Sequence, residues 1–200
     1  MHSLGYREYP YLVCCGCSIL MLLIVVVNLK MNSLLKKISE KAIELADFEF
    51  TQEQTENKWL GTKPATESEI KLTEKRLGIE FPTDFKLFLS ITNGFSAPND
   101  IEPTFEPIDK IDFLKNIDSF IIEAYSLDAI AEIGKQLEKS IVVGGINEEQ
   151  YFLLIPPNSP NEKWKYWKFA NWYPGEHEFE NLESYFNDAL EFINEQLETE

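Results

Sequence analysis

Apolar positions recur along this chain at two spacings, and each change of spacing marks an element. From Pro64 to Gly94 the spacing is helical and the punctuation is complete. Thr66 with Glu69 three residues on forms a capping box, flanked by Ala65 and Ile70 where a hydrophobic staple falls. Gly78 supplies a left-handed stop, and Pro82 suits the first turn of a second helix. Phe85, Phe88, Leu89 and Thr92 then follow at i, i+3, i+4 and i+7, one buried face closed by Asn93-Gly94. Upstream, Leu34, Leu35, Ile38, Ala42, Ile43 and Leu45 give an apolar side to a helix predicted from Asn32 to Phe50, with Ser33 as its cap. Thr51–Lys63 is polar and reads as linker, apart from the aromatic Trp59.

The period changes after Gly94. Pro103 and Pro107 bar a central strand from Ser96–Pro107, leaving Ile101 and Phe105 for a short edge strand. Ile130, Ile133 and Leu137 predict a helix over Leu127–Lys139. Ile141-Val-Val-Gly-Gly and Gln150-Tyr-Phe-Leu-Leu-Ile155 predict paired strands. In Glu162–Trp172, alternation sends Trp164, Tyr166 and Lys168 to one side and Lys165, Trp167 and Phe169 to the other, as in a strand between two partners. Pro174–Glu180 reads as an acidic turn. Asn181 caps a last helix whose apolar face is Leu182, Phe186, Ala189, Leu190, Ile193 and Leu197.

The Pro-Ala-Thr-Glu opening, the Leu-Gly-Ile corner, the Phe-Pro-Thr-Asp-Phe restart and the terminal Asn-Gly resemble the signature of the SUKH superfamily. These are the Smi/Knr-type domains of bacterial toxin-immunity proteins and of a yeast cell-wall regulator. Pro107-Ile-Asp-Lys-Ile-Asp-Phe-Leu-Lys resembles the family segment in which a short helical turn packs on the core. Val143-Gly-Gly-Ile-Asn-Glu-Glu-Gln-Tyr-Phe-Leu-Leu is similar to the family's glycine-bearing hairpin, and Leu182–Leu197 to its closing helix. The resemblance spans roughly Thr55–Leu197. It implies an α+β domain, a mostly antiparallel sheet flanked by helices, that binds proteins and offers no catalytic residue to carry over.

Charge sharpens the functional expectation. The chain carries a net −16, and residues 1–30 hold only Arg7, Lys30 and Glu8, so the excess lies in residues 31–200. Such a surface repels phosphate backbones and suits a basic protein partner. The three cysteines, Cys14, Cys15 and Cys17, all precede the globular part, as in a reducing compartment. They sit in Tyr11–Val27, an uncharged run near the lower limit for a membrane span. That run reads as an anchor leaving the domain cytoplasmic, by the lysines that follow it, or as an artefact of start-site choice, because Met31 opens a self-sufficient sequence. A signal peptide fits less well, its n-region being long and weakly basic with no clear small-x-small cleavage site. The expected organisation is thus an apolar segment 1–30, a helix and linker 31–54, and the domain 55–200.

The familiar chemical signatures are missing. Val143-Gly-Gly lacks the spacing of a phosphate loop, there is no Gly-x-Ser-x-Gly elbow, and His177 has no second histidine or cysteine nearby. The expectation is therefore no catalytic, cofactor-binding or metal-binding residues and no cofactor. As an immunity protein, the chain would dock a basic toxin domain, such as a nuclease, and occlude it. Loop carboxylates not needed for folding are the candidate contacts: Asp100, Glu102, Glu106, Glu148, Glu149, Glu176, Glu178 and Glu180. A regulatory scaffold of the yeast type and a membrane-tethered assembly factor are the alternatives.

Overall fold

A computed structural model describes residues 15–46, 48–126, 130–170 and 176–199, with side chains from residue 26 onward. The first helix, α1 (Cys15–Leu45), begins earlier than predicted and stops at Leu45, where Ala46 turns left-handed at φ 54°. Ser33 lies inside it and caps nothing. Neither glycine nor proline interrupts residues 18–45, so the predicted helix and the apolar run before it are continuous. Among the described residues no helix is long and apolar enough to cross a membrane. The candidate anchor Tyr11–Val27 falls, except for Val26 and Val27, outside the described side chains.

The expected linker contains a helix, α2 (Gln52–Asn57), closed at its start by a Thr51–Gln54 capping box and at its end by left-handed Lys58. It buries no residue, so no apolar period announced it. Next come α3 (Glu67–Leu77) and α4 (Thr83–Ile91), as expected. The Thr66 hydroxyl accepts from the Glu69 N–H at 3.3 Å, and the Glu69 carboxylate accepts from the Thr66 N–H at 2.7 Å. Gly78 ends α3 at φ 68°, a conformation that disfavours a side chain. Pro82 takes the N-cap position, one residue ahead of the predicted place, and α4 ends at Ile91 with Thr92 as its C-cap.

A five-stranded antiparallel meander follows, in the order β1 (Asp112–Phe113), β2 (Ile141–Gly144), β3 (Gln150–Ile155), β4 (Lys165–Ala170) and β5 (Glu176–Phe179). Between β1 and β2 lie three short helices, α5 (Leu114–Ile117), α6 (Ser119–Ala124) and α7 (Ala131–Lys139). The predicted helix over Leu127–Lys139 is therefore α7, with Leu127–Ala129 outside the described residues. The predicted acidic turn contains β5: four residues pair along the open edge of β4, Phe179 opposite Tyr166 and Glu176 opposite Phe169. The last helix, α8 (Leu182–Thr199), opens where Asn181 accepts from the Ser184 N–H at 2.8 Å.

The two faces of the sheet bury two cores, the expected α+β arrangement. Val143, Phe152, Leu154 and Tyr166 face one core with α1, α3, α4 and α8. Val142, Leu153, Trp167 and Phe169 face the other with α5, α6 and α7. Period-two alternation along β4 is what supplies both. Met31, Leu35, Ile38 and Ala42 of α1 pack into the first core, so this helix shares the hydrophobic interior of the residues that follow. Phe105 is buried at its centre against Phe88, Phe152, Tyr185 and Phe186. The expected edge strand shrinks there to single-residue bridges from Phe105 to Phe95 and Gly144, while Ile101 remains 42% exposed.

Candidate functional site

The loop between α4 and β1 is polar, yet it is held tightly. Thr104 and Phe105 lie against the end of β2, where the Gly145 N–H donates to the Thr104 carbonyl at 2.8 Å. A side chain at Gly144 would meet that carbonyl at 3.0 Å, and one at Gly145 would strike the Gln150 carbonyl at 1.8 Å. The Gly-Gly pair thus admits a close backbone approach from both sides. Across the gap, the Glu148 carboxylate accepts from the Thr104 N–H at 2.9 Å, and the Gln150 amide donates to the Ile101 carbonyl at 2.9 Å.

Between this loop and the β2–β3 turn lies a cavity of about 330 Å³. Asn99, Asp100, Glu102, Glu148 and Glu149 line it, and Phe48 and Ile101, each about 40% exposed, flank it. Asn99 is buried; its Oδ1 accepts from the N–H groups of Ile101 (3.0 Å) and Glu102 (2.8 Å), an Asx turn. Its Nδ2 is buried too and has no hydrogen-bond partner among the described residues. Both backbone donors require the oxygen where it is, so the amide cannot be flipped without losing them.

Four of the eight predicted carboxylates therefore converge on one cavity, though not in one role. Asp100, Glu148 and Glu149 form no ion pair among the described residues. Glu102 does not fit the expectation of a loop charge unneeded for folding. It is 6% exposed, accepts from the Lys168 ammonium at 2.6 Å and from the Tyr185 hydroxyl at 2.9 Å, and so ties the loop to β4 and α8. Burial and the adjacent Glu102 charge push the Tyr185 phenol well above its ordinary range.

Glu106 is likewise buried, 3.5 Å from the Lys110 ammonium. Burial raises its carboxyl pKa, Lys110 opposes the rise, and the Glu148 charge adds to it. Folded Glu106 therefore holds its proton more tightly than the unfolded chain does. Its contribution to stability is present below the ordinary carboxylate pKa and is lost as pH rises through the raised folded value. Glu106→Gln is expected to gain stability relative to wild type between pH 4 and pH 7, read as urea midpoints at both pH values; parallel midpoints would refute the assignment.

Glu178 and Glu180 line a separate concavity with Lys139, Lys163 and Lys165, where charges of both signs alternate. Glu178 also accepts from the Trp167 indole N–H at 2.8 Å. Glu176 begins β5 and lines neither hollow. Sequence reasoning missed Asn99, Phe48, Gln150, Lys168 and Tyr185 as parts of this region. Only the Pro98-Asn99-Asp100 run carried a local signal, that of an Asx turn.

Among the described residues, the cavity lining offers carboxylates, the Asn99 and Gln150 amides and apolar flanks, and no hydroxyl, thiol or imidazole nucleophile. Among the described residues no three His, Cys, Asp or Glu side chains are grouped to hold a metal ion. His177 stacks on Phe179 at 4.3 Å. A family model described as the SMI1 / KNR4 family (SUKH-1) matches residues 64–195. No curated protein matches the chain.

Proposed function

The chain belongs to the SMI1/KNR4 family (SUKH-1), and from that premise we propose that it is a non-catalytic protein-binding domain acting as an immunity protein. It neutralises a cognate bacterial toxin by covering it. The observation that carries the reading is the gathering of Asp100, Glu148 and Glu149, without ion-pair partners among the described residues, around one cavity. On a chain of net charge −16, that cluster favours a basic toxin domain, such as a nuclease, over nucleic acid itself. Long-range attraction speeds encounter, and the cavity and its rim supply the contact. The other candidate carboxylates, Glu102, Glu106, Glu176, Glu178 and Glu180, fall outside this contact or serve to shape it. Lys30, Lys36 and Lys37, which follow the apolar run, support a cytoplasmic setting for the domain.

The test pairs the full chain with any toxin whose basic C-terminal domain is encoded immediately upstream of its gene. Excess protein is expected to abolish that domain's toxicity. Asp100→Lys/Glu149→Lys is expected to slow association by about tenfold or more at low salt and to flatten its salt dependence. A toxin that stays active in saturating protein would overturn the reading. A neighbouring gene encoding no such domain would turn it toward the scaffold alternative.

A further inference from the structure

We propose that α1 seats this domain on a lipid bilayer whose surface is anionic. The charge-free residues before Lys30 enter the lipid, and Lys30, Lys36 and Lys37 meet the headgroup phosphates. The inference goes beyond the immunity reading and stands whether or not the partner is a toxin.

The apolar half of the helix supplies the first reason. Between Glu8 and Lys30 the sequence holds no charged residue, a length suited to burial in lipid. Val26, Val27 and Leu29 are 43%, 43% and 62% exposed, three of the seven large apolar side chains left exposed among the described residues. At about 100° of helix per residue they point to different sides of α1. A protein partner would cover one stripe of such a helix, whereas lipid covers every side. The described residues of α1 are not long and apolar enough to cross a bilayer, so burial draws also on the uncharged residues upstream of Cys15.

The lysines supply the second. Lys30, Lys36 and Lys37 are exposed and form no ion pair among the described residues, although the chain has 34 acidic and 18 basic residues. No acidic residue occurs on α1 before Glu40. Lys36 and Lys37 lie about 10 Å farther along the axis than Lys30, within a lysine side chain and roughly one Debye length of the surface. Anionic lipid attracts a basic cluster placed there.

The fold then fixes how the domain stands. Met31, Leu35, Ile38 and Ala42 already belong to the core that α1 shares with α8, and neither glycine nor proline lies between residues 18 and 45. No linker therefore separates lipid from core. The exposed side of α8 carries Asp188, Glu191 and Glu195, and an anionic surface repels them, so the domain stands on α1 instead of lying flat. Phe48, just beyond the far end of α1, flanks the carboxylate-lined cavity. About 22 Å of helix, from Lys30 to Leu45, holds that cavity clear of the headgroups.

The test floats the full chain with vesicles of phosphatidylcholine alone or of equal parts phosphatidylcholine and phosphatidylglycerol. The chain is expected to bind both, and the anionic vesicles about tenfold more tightly at low salt. Lys30→Gln/Lys36→Gln/Lys37→Gln should erase that preference yet still float on the neutral vesicles. Val26→Glu/Leu29→Glu should weaken binding to both. All five side chains are exposed, so neither variant disturbs the core. By hydrogen exchange, residues 15–30 should gain protection on vesicles while Gly145–Gln150 stays unchanged. A chain that floats with neither vesicle, or wild type without anionic preference, would overturn the proposal. So would residues 15–30 protected in a vesicle-free oligomer, which would assign this surface to a second copy, or a natural protein whose mass begins at Met31. Flotation without toxin neutralisation would leave the surface standing and remove the immunity reading. Neutralisation without flotation would do the reverse.

Discussion

Replacing Glu102 with alanine is expected to destabilise the protein by about 3–5 kcal/mol, the largest effect of any single carboxylate here. The Lys168 side chain is 15% exposed and Glu102 is its only ion-pair partner among the described residues. Tyr185 is 2% exposed and gives its hydroxyl hydrogen to the same carboxylate. Truncating Glu102 leaves an ammonium and a hydroxyl desolvated together, and each unpaired group carries its own cost. The sign of a second change separates this account from simple loss of packing. Glu102→Leu with Lys168→Met removes both charges and should be more stable than either single variant, because the desolvation term disappears with them. Urea unfolding of the four proteins measures this, and a double variant no better than the worse single one would refute it. The same series bears on the cavity, since the Glu102 carboxylate ties the loop that carries the Asn99 turn to β4 and α8.

Asp84→Ala is expected to cost about 3 kcal/mol, lowering the melting temperature by roughly 6–12 °C for a chain of this size. Asp84 is half-buried in the first turn of α4, and its two oxygens face different elements. One accepts from the Tyr166 hydroxyl of β4 at 2.6 Å, and the other from the Leu182 N–H at the start of α8, at 3.0 Å. Alanine orphans a buried phenol and removes an anion from a helix N-terminus, two terms of about 1–3 and 0.3–1 kcal/mol. Burial and the Asp84 charge push the Tyr166 phenol far upward, so it stays a donor at any ordinary pH. Tyr166→Phe should therefore cost little in the Asp84→Ala background and about 1 kcal/mol alone. Thermal unfolding of the cycle decides, and strictly additive costs would mean that the two groups do not interact.

Asp84 also illustrates what was legible in advance. Within Phe-Pro-Thr-Asp-Phe it belongs to a recognisable helix start, and α4 does begin there. That the same carboxylate caps α8, 98 residues later in the chain, leaves no mark on its neighbours. The alternation along Lys165–Ala170 correctly foretold a strand buried on both faces, because side-chain direction there is a property of the strand alone. β5 was misread as a turn because Glu-His-Glu-Phe has no apolar alternation of its own, and it is a strand because β4 offers it an open edge. Glu102 reads from sequence as a loop charge unneeded for folding for a similar reason. Its burial depends on Lys168 and Tyr185, 66 and 83 positions away.

By itself the sequence determined much of what local chemistry controls: the boxed start of α3 at Thr66 and Glu69, its stop at Gly78, the Asn181 cap, the period-two strands and an acidic surface. Those features are settled within a few residues, by backbone conformation and side-chain reach. Only the tertiary structure decided which acids are free to meet a partner and which are spent inside the fold. It also left the Asn99 amide nitrogen buried and without a partner among the described residues. Desolvation and pairing depend on what the folded chain brings alongside each group, and no stretch of sequence holds that information alone.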